Sequence, residues 1–414
     1  MTAPSARIVP LAYADEVLAT LDFPERPLIV TRGLGSGLAY RRGDPPGTIW
    51  AVGDRGPNLK VPFAISRYGI RHLRRFADVE GAKVMPCLGI GPAMSELRVE
   101  ADRVVCVRTI PLRNRDGSPV SGVPIPGGFS EPAIDGHGHR IAPDPGGADS
   151  EGIAAASDGT FWIADEYGPS LLHVAADGMV LARWVPEGCG HWFRDAGYPI
   201  VEALPAIATQ RQLNRGFEAL TLSADEASLY LAFQSPLAHP DEKAYRHGRH
   251  VRVWQLDLAS RSVIAQYLYP LDDSDTFLRD CALGKMHRSD VKVSEMLALD
   301  DERLAVLERG SATTKLYVVG PDPANLIDPA HLDIATAPTL EQRSGGHDLG
   351  KHIRPLAKTL LLSSDDHPEL GADLEGLAAI GPTSLLIVND NDFGVAGVAT
   401  RFWRIELDAW PSGG

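Results

Sequence analysis

Four glutamates recur along the chain at intervals of about 67, 77 and 80 residues: Glu151, Glu218, Glu295 and Glu375. Each stands ahead of a short apolar run, in DSEGIA, RGFEAL, KVSEML and DLEGLA. Carboxylates gathered near one point repel, and the relief is a cation, an arginine partner or a proton. An oxygen donor set without a His or Cys cluster suits a hard cation, Ca²⁺ first, with Mg²⁺ or Mn²⁺ behind. Glu151, Glu218 and Glu375 are the first ligand candidates, and Asp54 and Glu295 the next. A second polar set closes the following apolar run: Asp54-Arg55, Asp165-Glu166, Gln234-Ser235, Glu308-Arg309 and Asn389-Asp390. Arg55, Arg215 and Arg309 each adjoin an acidic candidate, where a guanidinium neutralises charge or grips an anion bidentately. Metal, arginine and carboxylate together suit ester or phosphoester hydrolysis: the metal polarises the oxygen and activates water, and arginine holds the developing charge. In that scheme Asp165 or Glu166 orients or deprotonates the water. Arg55 and Arg215 hold the phosphoryl oxygens, and Asn214, Glu308, Arg309, Asn389 and Asp390 contact substrate.

These residues converge only if the chain repeats in space as it does in sequence. Five segments share one grammar of apolar run, turn and second apolar run ending in polar residues: GSGLAY…GTIWAVGDRGPN, DSEGIAAASDGTFWIADEYGPS, NRGFEALTLSADEASLYLAFQSPL, KVSEMLALDDERLAVLERGS and ADLEGLAAIGPTSLLIVNDNDFG. Runs such as FWIA, LYLAF, LAVL and LLIV are short, β-branched or aromatic, and bounded by turn signals, so they read as buried strands. Ser157-Asp158-Gly159, Leu299-Asp300-Asp301 and Ala176-Asp177-Gly178 supply tight turns. Alternating segments such as VRVWQLDLASRSVIAQYLYPL read as the outer strands of the same unit. The expectation is an all-β fold, a β-propeller of six blades with long loop insertions. The sixth blade comes from assigning two to the stretch between Gly35 and Glu151, whose second half reads ELRVEADRVVCVRTIPL. Residues 31–410 form the propeller, and residues 1–30 are a candidate to complete the last blade. In a propeller the innermost strands line the axis, so equivalent positions face one another.

The bulk properties narrow the function. The chain has 414 residues, enough for one large repetitive domain, with a net charge of −14. A phosphate backbone requires a basic surface, so nucleic acid is not an expected partner. A small anionic or ester substrate is, with a monomer or weak homo-oligomer as the assembly. The four cysteines, Cys87, Cys106, Cys189 and Cys281, include no CxxC pair and read as buried thiols in a reducing compartment. The start shows no basic region followed by an apolar run, and no stretch is long enough to span a bilayer. The expected location is cytoplasmic for the sequence as given, and secreted or periplasmic if a leader was removed.

Other polar residues have plainer readings. Gly152, Gly216 and Gly376 beside the glutamates permit close backbone packing, since none belongs to a phosphate-binding loop. His137 and His139 in DGHGHR, His347-Asp348 and Asp365-Asp366-His367 read first as solvated loops and second as metal sites. Ser36, Ser150 and Ser170 are nucleophile candidates by type alone, and no GxSxG elbow is present.

The strings DSEGIA…FWIADEYGPSLL, NRGFEALTLS…LYLAFQSPL, VKVSEMLAL…LAVLERG…TKLYVV and LEGLAAI…LLIVNDNDFG, with AVGDRGPN, resemble the "esterase-like activity of phytase" family over about residues 30–408. The resemblance implies a propeller-like fold, ester or phosphoester hydrolysis, and export for many members. It places the shared pattern on Asp54, Arg55, Glu151, Asp165, Glu166, Asn214, Arg215, Glu218, Glu295, Glu308, Glu375, Asn389 and Asp390. The leading expectation is therefore a metal-dependent phosphoester hydrolase. Its rivals are a calcium-dependent lactonase or carboxylesterase, and a non-catalytic binding propeller with a structural calcium ion.

Overall fold

Turn chemistry cuts the chain into short strands. At Ser157–Thr160 the Asp158 carboxylate accepts the Thr160 amide at 2.8 Å while Gly159 adopts a φ of +94°. That left-handed geometry suits glycine and reverses the chain between two buried strands. The structure is a computed structural model and describes residues 5–127, 130–300, 303–346 and 349–410. Asp301 of one expected turn and the pair His347-Asp348 lie outside the described residues.

Five antiparallel blade sheets follow one another. The first joins Gly37–Ala39, Thr48–Gly53, Ala93–Val99 and Val104–Pro111. The second joins Ser150–Ala155, Phe161–Asp165, Ser170–Val174 and Val180–Pro186, with Ile200–Leu204 added in parallel at its edge. The third holds Phe217–Leu222, Ser228–Phe233, His250–Asp257 and Ser262–Pro270, and the fourth Lys292–Ala298, Leu304–Arg309, Thr314–Val319 and Lys358–Ser363. The fifth holds Leu374–Gly381, Ser384–Asn389 and Phe402–Leu407, and Ala6–Leu11 pairs antiparallel with the last of these. The first-named strand of each blade lies beside the first-named strands of its two neighbours, and the fifth lies beside the first. The result is a closed β-propeller of five blades.

The expected sixth blade is therefore corrected. Residues 93–111, read as strands of a separate blade, are the outer hairpin of the first. The 39-residue excursion between its inner and outer hairpins, residues 54–92, is an insertion. It carries the helix Val61–Tyr68 and two short strands, Leu59–Lys60 and Lys83–Val84, which form a small sheet with Ala133–Ile134. Pro62 sits in the first turn of that helix, where its missing N–H costs nothing, and Gly69 ends it at a φ of +72°. The insertion buries Leu59, Val61, Ala64, Tyr68 and Leu73 against Phe393 and Val395 of the last blade, forming a cap over one end of the axis.

Between blades the core is aromatic and aliphatic. Trp162 and Trp184 of the second blade pack with Phe217, Phe233 and Trp254 of the third. The Phe233–Trp254 rings meet edge to face at 5.1 Å, a geometry worth about 0.5–1.5 kcal/mol beyond the burial itself. All four cysteines are free, but of the expected buried thiols only Cys189 is buried and Cys281 is exposed; among the described residues no helix is long and apolar enough to cross a membrane.

Candidate functional site

The inner strands are not regular where they reach the capped end. Pairing slips between Ser150 and Ile153, Phe217 and Ala219, Val293 and Glu295, and Leu374 and Gly376. Each slip is a β-bulge, an extra residue that bends the strand and re-aims one side chain. In the second, third and fifth blades the bulge contains Glu151, Glu218 and Glu375. In the fourth the extra residue is Ser294, and Glu295 is paired regularly with Leu307. The glycine after Glu151 makes the close approach possible: a Cβ on Gly152 would stand 2.3 Å from the Glu218 carbonyl oxygen.

Glu151, Glu218 and Glu375 each offer a carboxylate oxygen, and the three oxygens lie within 4.8 Å of one another. Glu151 belongs to a second such group with Asp54 and Asp149. These residues are deeply buried, with Asp149 fully so. Burial raises the Glu151 pKa well above the ordinary carboxylate range, and the charges of Glu218, Asp149, Asp54 and Glu166 add to it. Burial, with Glu166, likewise pushes Glu218 up to about 7, although a hydrogen bond from Gln234 opposes the shift. Glu218 Oε1 accepts that bond, whereas its buried Oε2 has no hydrogen-bond partner. Among the described residues the Glu151 carboxylate forms no ion pair and no side-chain hydrogen bond. An all-oxygen set with orphaned buried acceptors fits a hard divalent cation.

Arg55 organises the acidic side. Its Nε meets Asp54 at 3.3 Å, its Nη1 meets Glu131 at 2.5 Å and the Tyr167 hydroxyl at 3.1 Å, and its Nη2 meets Asp149 at 2.6 Å and Asn214 Oδ1 at 2.9 Å. The Asp149 contact is an ion pair without hydrogen-bond alignment, so both Asp149 oxygens still lack a hydrogen bond. Burial is the largest influence on Asp54 and opposes its ionisation, but Arg55, the neighbouring Asp149 carboxyl, the Arg55 amide and Lys83 together outweigh it and hold that carboxyl below its usual range. For Asp149 burial wins despite Arg55, and its pKa is raised well above the usual value. Arg55 therefore lines the cavity with its Nε and Nη1 hydrogen-bonded and its Nη2 shared between Asn214 and the Asp149 carboxylate, an engagement that its expected role as a phosphoryl clamp did not include.

A cavity of about 440 Å³ opens above the glutamates. Asp54, Arg55, Glu151, Glu166, Asn214, Arg215, Glu218, Arg309, Glu375 and Asp390 line it, all expected from the sequence. Glu166 accepts the Gly216 amide at 3.3 Å. Asn214, at a φ of +57°, directs its carbonyl oxygen to Arg55. Arg309 pairs with Glu375, with Asp373 at 3.1 Å and with Ser294 Oγ at 2.7 Å, so substrate contact is not its main engagement.

Four expected site residues face elsewhere. Asp165 is wholly buried against Arg183 and Ser170, and its Oδ1 also accepts the Asp149 amide at 2.8 Å. It anchors the strand end and is not among the residues that line the cavity. Glu295 accepts the amides of Leu38 at 3.3 Å and Met296 at 3.0 Å, stitching inner strands together instead of holding a metal. Its side chain is turned because the bulge falls one residue earlier in this blade, and a one-residue slip reverses the face. Glu308 lies in a lateral cluster, accepting the Tyr269 hydroxyl at 2.7 Å, the Asp272 amide at 2.7 Å and Lys358 Nζ at 2.7 Å. Asn389 accepts the Arg401 amide at 2.6 Å and donates to Ala399, holding a turn. Of the loop candidates, Asp135 accepts the amides of His137 and His139 and bonds His139 Nδ1 at 3.0 Å, a self-contained exposed turn. Ser150 and Ser170 donate to Gly53 and Asp165, so neither is poised as a nucleophile.

Two residues of the site escaped sequence reasoning in opposite ways, Asp149 in the buried carboxylate group and Lys292 in the cavity wall. Asp149 was legible as an acid beside Glu151 but carried no separate signal. Lys292 heads the inner strand of the fourth blade and is cross-strand partner to Arg309. Burial, then Arg309 and Arg215, lower its pKa to about 7.

A closed propeller with a buried carboxylate cluster beneath a cavity of mixed charge defines a class of protein with a polar site on its axis. The chain belongs to the phytase-like family described as "esterase-like activity of phytase", which it matches over residues 31–393. It is also 28% identical over 264 residues to an uncharacterized secreted protein of Arthroderma benhamiae, covering 55% of this chain and 49% of that one. The chain thus spans about half the length of the curated relative it matches. Solved structures similar to it include a gluconolactonase from Xanthomonas campestris (10% identity, TM-score 0.34, covering 98% of this chain and 99% of that one). Another is the calcium-binding protein regucalcin from Agrobacterium tumefaciens (14% identity, TM-score 0.35, covering 92% of each). Likeness at this level says nothing about chemistry.

Proposed function

We propose that the chain is a metal-dependent hydrolase of ester bonds, with a phosphoester as its substrate. The observation that carries the reading is the meeting of Glu151, Glu218 and Glu375, from three different blades, with oxygens within 4.8 Å at the floor of a cavity that also holds cations. Those three would hold the ion, Ca²⁺ first, with Asp54 and Asp149 beside them. A bound divalent ion supplies Lewis-acid polarisation of the ester oxygen and a more acidic water. Glu166, in the cavity wall, would be the residue to accept a proton from an attacking water. The Arg55 hub keeps Asp54 and Asp149 oriented, and Arg215 faces the cavity to receive an anionic group. Residues 54–92 supply Asn58, Leu59, Lys60, Phe63 and Lys83 to the cavity wall, so the cap would narrow access to the site.

The test is metal content by elemental analysis, followed by turnover on phosphomonoester, phosphodiester and lactone panels with and without chelator. Glu151→Gln and Glu375→Gln are expected to lower both metal content and rate, because each removes an anionic ligand. Absence of any divalent ion that binds and restores activity would overturn the reading. Metal-dependent turnover confined to lactones would replace the phosphoester. No turnover on any panel, with chelator still lowering the melting temperature, would leave a binding propeller with a structural ion.

A further inference from the structure

Arg41 shows how this propeller fills a gap between blades. Its guanidinium carbon lies 4.9 Å from the Trp50 ring centroid of the first blade and 4.3 Å from that of Phe161 in the second. Its Nη2 donates to the Gly159 carbonyl at 3.1 Å. Two aromatic rings and a backbone acceptor thus hold a cation between blades. The second and third blades meet in a related gap with different contents. Trp162 takes the strand position of Trp50, because Ala39 pairs with Trp50 and Ala154 with Trp162. Two residues beyond those alanines the first blade has Arg41 and the second has Ala156. A cavity of about 410 Å³ opens here, with Ala156, Trp162, His173 and Trp184 from the second blade and Glu226 and Arg261 from turns of the third. It shares no lining residue with the axial cavity.

The walls are aromatic and acidic. The Trp162 and His173 rings stack at 4.4 Å and 8°, and Trp184 meets Trp162 edge to face at 4.7 Å. Burial lowers the His173 pKa, so its ring adds no positive charge at neutral pH. The charged groups lining the cavity are two carboxylates, Asp158 and Glu226, and one guanidinium, Arg261. Asp158 is committed to its own turn: burial opposes its charge, but the Thr160 amide and hydroxyl, His173 and Arg41 hold its pKa below the usual value. Glu226 is less committed. Its Oε2 accepts the Ser157 amide at 2.9 Å and hydroxyl at 2.6 Å, while among the described residues its Oε1 has no partner. Its place in its turn, at a φ of +58°, matches that of Gly159 at +94°. Each donates its amide to the carbonyl three residues back, Ser223 and Ala156. A carboxylate therefore stands at this gap where a carbonyl stands at the gap that Arg41 fills. Arg42 is spent on the Ala224 carbonyl, and the Arg261 guanidinium carbon lies 5.9 Å from the Trp184 ring centroid, so this wall already tolerates a guanidinium.

We propose that this gap is a second ligand site, and that it takes a small organic cation with a guanidinium head. The head would lie against Trp162 and Trp184, with Glu226 Oε1 accepting its N–H groups as the Gly159 carbonyl does for Arg41. Aromatic faces attract a desolvated cation, and a planar fork of donors suits a carboxylate. The site does not rest on the metal-dependent reading of the axial cavity.

The experiment is calorimetric titration of the full chain with butylguanidinium, in calcium and again in chelator, with tetramethylammonium as a cation that lacks N–H groups. Butylguanidinium is expected to bind in the millimolar range or tighter, with or without metal. Glu226→Gln should weaken it roughly tenfold, the scale of one lost charge-assisted hydrogen bond. Ala156→Arg supplies the gap with a guanidinium of its own and should abolish binding, with metal content unchanged. Arg261→Ala should tighten binding, because it removes a like charge from the mouth, and weaker binding there would overturn the charge assignment. Tetramethylammonium should bind more weakly, and equal binding would overturn the guanidinium head. A wild-type chain that binds no butylguanidinium at millimolar concentration, or binding that survives Ala156→Arg within about twofold, would overturn the site. Should Ala156→Arg not fold, Glu226→Gln decides: unchanged binding removes the proposal. Binding seen only in chelator would belong to the axial carboxylates and would also overturn it. Failure of the hydrolase reading leaves each of these outcomes as it stands, so the two are separable.

Discussion

The guanidinium of Arg55 is 4% exposed and meets Asp54, Glu131, Asp149 and Asn214 through its N–H groups. Such a hub is costly to break from one side, because the partners remain as buried charges without compensation. Arg55→Met is expected to lose about 3–5 kcal/mol of stability, measured by urea unfolding, whereas a free substrate clamp would be near neutral. Arg215→Gln is the contrast, because no ion pair depends on it, and should shift the urea midpoint little. Both arginines adjoin an acidic candidate in sequence, and nothing in that adjacency tells them apart. The difference arises from which carboxylates the fold brings around each. Lys292 was hidden for the same reason: a lysine at the head of a strand is ordinarily solvated, and only burial beneath the cap isolates it.

At the scale of the strand, the bulge decides which carboxylate enters the cavity. Aligning the apolar residues Phe217, Val293 and Leu374 puts Ser294, not Glu295, opposite Glu218 and Glu375. That alignment was available in the sequence, and counting glutamates alone passed over it. Glu295→Gln should therefore leave metal content unchanged, in contrast to Glu151→Gln. It should cost about 1–3 kcal/mol, because an amide NH₂ would face the Leu38 or Met296 N–H donors that the carboxylate now accepts. Elemental analysis paired with thermal unfolding reads both. Loss of metal in Glu295→Gln would return that residue to the site.

For the whole molecule, closure is the governing feature. Ala6–Leu11 pairs along Phe402–Leu407 and joins the two ends of the chain in one sheet. Deleting residues 1–11 should expose an edge strand, lower the melting temperature and promote aggregation, seen by light scattering. The pH response has two sources away from the axis. Burial lowers the His250 pKa from 6.5 to about 4, so the stability gained by keeping it neutral is present above 6.5 and is lost as pH falls toward 4. Asp272 is held down to about 2, against burial, by Lys315, Lys358 and Tyr317. Its contribution is present above its ordinary 3.8 and is lost as pH falls toward 2. Unfolding midpoints should therefore decline in two stages on acidification. His250→Gln should remove the first, and Asp272→Asn the second.

By itself the sequence determined the strands, their turns and the propeller, because alternating burial and turn chemistry are local and repeat along the chain. It also marked the glutamates as a set, since equivalent repeat positions must face a common axis. It did not determine the blade count, because the insertion at residues 54–92 has the length of a blade and its cap forms only against Phe393 and Val395 far along the chain. Nor did it determine which charges are free. Whether Asp165 meets Arg183, Glu308 meets Lys358, or Lys292 is left without a hydrogen bond among the described residues depends on tertiary contacts. Those contacts are set by bulge phase and burial, which exist only once the ring has closed.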